Sequence, residues 1–437
     1  MATDQQSADP SRQPPSGVLS ALAGLYRRGP DSVTNLSIYA FGMSGLWTAV
    51  GSVILQFRVL DIADESRKNG VLGLIALAGL VAAAVAQVSA GWISDRTNTR
   101  WGPRLPYIVL GSLGLILTTP LLGVANSITS LVLVICAMQV FGNAGQGPAN
   151  ALLLDHVPPG KRGEGAGALN LTRAIGAGIV VVIVLSMMGN YESGGAVWLW
   201  SSLAVITGVL FLTTLWSALT LRPRGAAPGT ISRPSPSGGA SGPAVGSAFY
   251  WFLLSMAMIV AALSAMQLYA LFFITDKIGL ANPAQGALAL VVVVVLATAA
   301  SVYPAGVVSD RIGRMPLLYA ATLMASAGAA GLIFVHSLFL LLMIGVVVGI
   351  GSGVYLSVAW ALATDLVPHK TAARTLGLTS VATLAGSGLA RFAGFPIDAL
   401  NNRQDNLGYD ALLAVVALLL LFSVLPLSRA GRTTRRL

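Results

Sequence analysis

Apolar runs of about 20 residues alternate along this chain with short segments where charges and prolines gather. A run of that length crosses a bilayer core as a helix, because a helix satisfies its backbone groups internally. The pattern predicts an all-α membrane protein with twelve spans, at residues 33–57, 71–93, 105–124, 129–153, 165–188, 197–220, 248–274, 284–307, 316–335, 338–363, 373–397 and 410–428. The chain then divides into a polar tail at 1–32, a six-helix bundle at 33–221, a linker at 222–246, a second six-helix bundle at 247–428 and a basic tail at 429–437. Residues 1–30 are polar and lack the apolar core of a signal peptide. Residues 18–28 suit a short amphipathic surface helix ending at Arg27 and Arg28. The linker, RPRGAAPGTISRPSPSGGASGPAVG, has the low complexity of a flexible connector.

Composition agrees with this pattern. Of 437 residues, 55% are hydrophobic and 10% charged, against about 25% charged in soluble domains. The charge is also one-sided. With both termini in the cytoplasm, the inner segments hold 19 of the 26 Lys and Arg residues, the outer segments five (Arg58, Arg67, Lys68, Lys277, Arg403), and Arg173 and Arg391 fall inside spans. This bias predicts a multi-pass protein of the cytoplasmic (inner) membrane with both termini inside. It also accounts for the net charge of +10, with anionic lipid headgroups rather than nucleic acid as neighbours. A single cysteine, Cys136, excludes an intrachain disulfide, and three histidines near span ends form no metal-ligand pattern. No nucleophile motif or phosphate-binding loop appears. The expectation is a monomeric protein without enzyme activity, metal or cofactor, whose partner is a small-molecule solute.

The chain also repeats itself. Gly91-Trp-Ile-Ser-Asp95-Arg96 after the second span matches Gly306-Val-Val-Ser-Asp310-Arg311 after the eighth, an offset of 215. Beyond these loops the offset becomes 210 and pairs Arg104 with Arg314, Asp155 with Asp365 and Gly176 with Gly386. Six helices related in parallel to six others suit a fold that rocks around a central cavity. Gly-x-x-Ser-Asp-Arg followed by Gly-x-Arg resembles the signature loop of the major facilitator superfamily. That resemblance implies twelve helices in two pseudo-symmetric six-helix bundles. The longer string GWISDRTNTRWGPRLPYI, and Gln146-Gly-Pro-Ala-Asn-Ala-Leu-Leu-Leu-Asp155, resemble the glycoside–pentoside–hexuronide symporters and the related sucrose transporters. A secondary-active or facilitative transporter of a sugar, glycoside or sugar acid by alternating access is what the resemblance implies.

The repeated loops suit a gate. A carboxylate at Asp95 or Asp310 can accept from the N–H groups opening a helix of the opposite half, or pair with Arg. The resemblance assigns Asp95, Arg96, Arg104, Asp310, Arg311 and Arg314 to such a cytoplasmic latch, against a purely topological role. Asp155 with Arg162 and Asp365 with Arg374 suit either the same gate or local pairing that fixes a short loop. Arg391, with Asp398 seven residues on along the same face, suits an outer anchor or gate.

For the cavity, Gln139, Asn143, Gln146 and Asn150 form one stripe on the fourth span by their spacing. Such a stripe is costly against lipid and belongs in a cavity or between helices. Arg173 lies about 12 Å along the fifth span, with Asn170 one turn below. It suits an anionic group of the solute, against snorkelling to a polar region. The aromatic and polar residues Tyr39, Trp47, Gln267, Tyr269, Tyr355 and Trp360 lie on helices that line the cavity by resemblance; stacking on a sugar or plain packing would each explain them. Gly345, Gly349 and Gly353 read as close helix packing.

Two departures qualify the sugar-symporter reading. The second span carries no acid, only Gln87; aligning the fourth span on Gln146-Gly-Pro puts Gln139 where sucrose transporters carry a coupling Asp and Asn150 where they carry an Arg. Amides do not titrate, so that proton route is absent. Two further readings compete: an exporter or lipid-directed translocator, favoured by a broad apolar cavity around Arg173, and a non-transporting scaffold, favoured by a plugged one.

Overall fold

The computed structural model describes residues 33–94, 105–156, 162–220, 246–280, 282–366 and 372–434. Asp95, Arg96 and Arg104 lie outside them, as do the linker through residue 245, the N-terminal tail and residues 435–437. The side chains of Asn150, Asp155, Arg162, Asp365 and Arg374 also lie outside the described set.

Twelve long helices form the fold. We number as α1 the run Val33–Ala49, continued by a π-helical turn Val50–Ile54 and by Leu55–Ile62. Then follow α2 Lys68–Ser94, α3 Leu105–Thr118, α4 Ile128–His156, α5 Arg162–Met188 and α6 Ala196–Thr220. The second half holds α7 Ser247–Phe273, α8 Pro283–Ile312, α9 Arg314–Leu332, α10 Leu338–Asp365, α11 Ala372–Phe392 and α12 Leu407–Thr434. Eleven of these are long and apolar enough to cross a membrane by composition. The twelfth, α11, has 21 residues, about 31 Å of helix.

Local chemistry sets several ends. Gly279, at φ 63°, ends the turn that follows α7. Asn282 caps α8 by accepting from the Gln285 amide at 3.2 Å, with Pro283 in the first turn. Gly313, at φ 92°, separates α8 from α9. Two boundaries differ from the sequence expectation. The last helix continues through Thr434, so the basic tail expected from residue 429 begins as helix. The span expected at 373–397 stops at Phe392, and a short helix, Gly394–Asn401, follows. The break at Gly394 lets its backbone press on the Asn69 carbonyl of α2, where a Cβ has no room.

The two halves pack alike. In the first, α1 lies on α5 and α6, and α4 on α2 and α3; in the second, α7 lies on α11 and α12, and α10 on α8 and α9. Between halves, α2 meets α11 and α5 meets α8. The 210–215 offset exchanges these two seams, which is the mark of a pseudo-twofold axis. A continuous buried core joins the halves near the end remote from the chain termini, where Leu72 and Ile75 join Phe272, Ile397 and Tyr409. We call this the distal end. At the proximal end the second half keeps its own core around Phe249, Leu318 and Leu427.

The glycine row on α10 allows the closest approach to α8. A Cβ on Gly349 would lie 2.8 Å from the Val294 carbonyl oxygen, whereas one on Gly208 would meet nothing within 4 Å. Gly349→Val should therefore destabilise the protein by about 1–3 kcal/mol, the usual cost of overpacking. Gly208→Ala should leave stability equal or raise it by about 0.5–1 kcal/mol. Thermal melting of both variants in detergent checks this; equal melting points would refute the packing role of Gly349.

Candidate functional site

Four of the candidate side chains come together in the first half. Tyr39 and Trp47 of α1, Gln146 of α4 and Arg173 of α5 line one cavity of about 350 Å³. Tyr39 is buried, and its hydroxyl accepts from Ser112 at 3.4 Å. Arg173 is half-buried, and its Nη1 donates to the side-chain Oδ1 of Asn170 at 3.4 Å; Asn170 itself is exposed. Among the described residues, Arg173 is the one charged side chain on this wall.

The amide stripe divides. Asn143 donates to the Gln139 carbonyl at 2.9 Å and to its Oε1 at 3.0 Å, and Gln139 faces Gly79 of α2. These two amides therefore serve the contact of α2 with α4, and Gln146 alone among the described members reaches the cavity. Helical spacing aligns residues on a stripe, but α2 covers the upper half of this one.

A second cavity, about 410 Å³, lies between the halves. It shares Thr48, Ala174 and Ala177 with the first, so the two adjoin. Its walls are mainly Val, Leu and Ala from α5, α7, α8 and α12, with no Asp, Glu, Lys or Arg. Gln267 and Tyr269 line it; Gln267 donates across the halves to Ser52 at 3.0 Å, and the Tyr269 hydroxyl donates to the Arg391 carbonyl at 3.1 Å. Tyr355 and Trp360 line neither cavity. Tyr355 packs in the core of the second half, and its buried hydroxyl has no partner among the described residues. Trp360 is 47% exposed.

The distal end is closed by contacts across the halves. Asp398 sits on the start of α2: Oδ1 accepts from the Asn69 amide at 3.2 Å and its side-chain Nδ2 at 2.9 Å, and Oδ2 accepts from the Gly70 amide at 2.6 Å. Arg391, one helix turn and a break away, donates through Nε to the Ala76 carbonyl at 3.0 Å and through Nη1 to the Ser387 carbonyl. The two residues expected to pair with each other thus each grip α2. Burial pushes the Asp398 carboxyl above the ordinary carboxylate range, and the Gly70 and Asn69 donors offset only part of that.

Around this seat lies a buried polar network that sequence reading missed. Lys68 pairs with Asp276 at 2.7 Å; Asp276 accepts from the Tyr409 hydroxyl at 2.6 Å; and Tyr409 accepts from Asn69 at 3.2 Å. The readable signal was Lys68-Asn69-Gly70 opening a helix, since a helix start presents unsatisfied amides. On the other seam the polarity is neutral: Asn282, at the start of α8, donates to the Gly189 carbonyl just past α5 at 2.5 Å.

At the proximal end, Asp310 accepts from Arg314 at 2.7 Å, four residues away, and Arg314 also donates to Ser309 at 2.8 Å. Arg311 is exposed. Asp310 and Arg314 thus pair within one loop, four residues apart.

A family described as Major Facilitator Superfamily matches residues 33–391, and again residues 252–435. Among solved structures, a bacterial homolog of the human lysosomal transporter Spinster, in an inward-facing and occupied conformation, is similar at 18% identity. Its TM-score is 0.63, with 92% of this chain and 94% of that one covered. The peptide transporter POT in complex with alafosfalin is similar at 14% identity and a TM-score of 0.70, covering 95% and 98%. The nucleoside transporter NupG is similar at 11% identity and a TM-score of 0.67, covering 91% and 99%. At these identities the likeness establishes the fold.

Asp398→Ala removes three hydrogen bonds to a charged group and should weaken the distal closure by about 2–4 kcal/mol. Spin labels at the exposed positions Glu65 and Arg403 should then report a longer-distance population that the parent lacks. In the parent, a carboxyl raised in the closed form favours closure when protonated. Closure should therefore strengthen as pH falls through the raised value, and Asp398→Ala should lose that trend. Unchanged distances in the variant would refute the role of Asp398.

Proposed function

The chain belongs to the Major Facilitator Superfamily, and we propose that it carries a small solute across the cytoplasmic membrane by alternating access, with the polar end of the solute held at Arg173. The observation that carries this reading is the convergence of Tyr39, Trp47, Gln146 and Arg173 on one cavity that adjoins the space between the halves. Closure at the distal end, built on Asp398, Arg391 and Lys68, leaves the proximal side as the route to that cavity. With both termini inside, as the charge bias supports, this arrangement is an inward-facing carrier with an outer gate.

Asp95, Arg96, Arg104, Asp310, Arg311 and Arg314, with Asp155, Arg162, Asp365 and Arg374, form the inner latch in this reading. They would engage when the distal contacts part. Cavities of about 350 and 410 Å³ count against a plugged, non-transporting scaffold.

The gate loops favour a sugar or sugar acid, whereas the apolar wall of the inter-half cavity favours the second reading, export or lipid-directed translocation of a less polar solute. Neither cavity is lined by a carboxylate among the described residues. Uniport or exchange therefore needs fewer assumptions than proton symport. A thermal-shift screen of sugars, sugar acids and carboxylates against the purified protein and Arg173→Ala tests the site. The expected result is a stabilising anion whose affinity falls by roughly thirtyfold or more in the variant, the equivalent of one charge-assisted contact. Equal shifts in both proteins would remove Arg173 from the site.

A further inference from the structure

The two cavities differ in chemistry and adjoin along Thr48, Ala174 and Ala177, and together they define a solute. We infer that the carrier takes an amphipathic organic anion: an acidic head at Arg173 joined to an apolar body that fills the space between the halves. This rests on the proposed solute site and narrows it to a chemical class.

The head is set by the first cavity. Its one charge is the Arg173 guanidinium, flanked by the Gln146 amide, with Trp47 and Tyr39 beside them. A planar fork of donors in a recess matches a carboxylate or phosphate. The body is set by the second cavity. Its polar side chains are largely committed to the protein: Gln267 to Ser52, Tyr269 to the Arg391 carbonyl and Tyr409 to Asp276. What remains facing the void is hydrocarbon, such as Leu185, Leu263, Leu290, Val294 and Leu412. A sugar ring placed there would leave several hydroxyls without partners, which is costly in an apolar site.

Size agrees. A dry cavity of about 150 Å³ accepts one benzene, so 410 Å³ accommodates on the order of two fused or linked rings, or a medium alkyl chain. Thr48, Ala174 and Ala177 line both spaces, and their small side chains are all that the two linings share. Gly178 lies on the apolar wall next to Ala177. A Cβ there would meet only Val295 Cγ1, at 3.9 Å, so a larger side chain can enter the void without displacing backbone.

The test is calorimetric titration of the full chain in nanodiscs, with empty nanodiscs as the partition control. Four probes are used: benzoate, 2-naphthoate, 2-naphthamide and glucuronate. The expected order is 2-naphthoate tighter than benzoate by roughly tenfold or more, from the added apolar area. It should also exceed 2-naphthamide and glucuronate by at least the same margin, roughly tenfold. Arg173→Gln should abolish the preference for 2-naphthoate over 2-naphthamide. Gly178→Leu should weaken 2-naphthoate at least ten times more than it weakens benzoate; Val295→Thr, nearly isosteric, should weaken it in the same direction if the larger substitution misfolds. Glucuronate binding more tightly than 2-naphthoate, with both lost in Arg173→Gln, would overturn the amphipathic class and leave the Arg173 site standing. Anion binding indifferent to Arg173→Gln would overturn the site itself. Indifference of 2-naphthoate to both wall variants would likewise overturn the assignment of its apolar body to this cavity.

Discussion

A carboxylate seated on the first amides of a helix holds the distal ends of the two halves together. The start of any helix leaves N–H groups without intrahelical partners and carries partial positive charge. In a membrane those groups need an acceptor from elsewhere in the protein. The chain supplies one from 328 residues away, Asp398 on Gly70. The contact is strong in its hydrogen bonds and costly in its desolvation, and the raised Asp398 pKa records that opposition. A gate needs this balance. Reversing a two-state population from 1:99 to 99:1 takes about 5.5 kcal/mol, so a seal much stronger than that would trap the carrier in one state.

The pseudo-twofold axis makes the asymmetry of the two seams informative. By the repeat, the contact of α2 with α11 should have a twin between α8 and α5. The twin exists as packing but not as chemistry. Asn282 of α8 gives an uncharged hydrogen bond to the carbonyl of Gly189, while α2 is held by Asp398, Arg391 and the Lys68–Asp276 pair. Gene-level repetition conserves which helices touch; it leaves free which seam carries charge. Concentrating the charge among the described distal contacts on one seam makes α2 and α11 the part of the distal closure expected to respond to protonation and salt.

Span positions, the doubled bundle and the place of Arg173 within a span were legible in the sequence because each rests on a local or periodic property. Apolar length, charge sidedness and a constant offset need no knowledge of which helix neighbours which. The amide stripe shows where this stops. Gln139, Asn143 and Gln146 do lie on one helix face, yet α2 crosses that face and divides it into a packed part and a cavity part. Trp360 fails for the same reason: its helix lines the interior, but its own face turns outward. The Asp398 seat needed the pairing of residues far apart in sequence, together with a helix start whose unsatisfied amides are invisible to side-chain reading. The missed residues, Lys68, Asn69, Asp276 and Tyr409, are ordinary in type and meet only in the folded chain.

Selectivity follows from the same division between a charged recess and an apolar wall. A hydrophobic pocket separates solutes that differ by one methylene by only about 1–3 kcal/mol. A guanidinium in a recess whose described lining holds no acid would discriminate by charge more strongly in the proposed site, because an anionic head offsets its desolvation and an uncharged head does not. Such a carrier is strict about the sign of the head and tolerant about the shape of the body. The paired amides Gln139 and Asn143 fit this division. Bonded to each other at the α2 contact, they stand outside the recess and add no second polar anchor that would demand a fixed pattern of hydroxyls. Gln139, one of the positions that depart from the sugar-transporter pattern, is thus spent on the α2 contact and leaves Arg173 as the charged group of the proposed site.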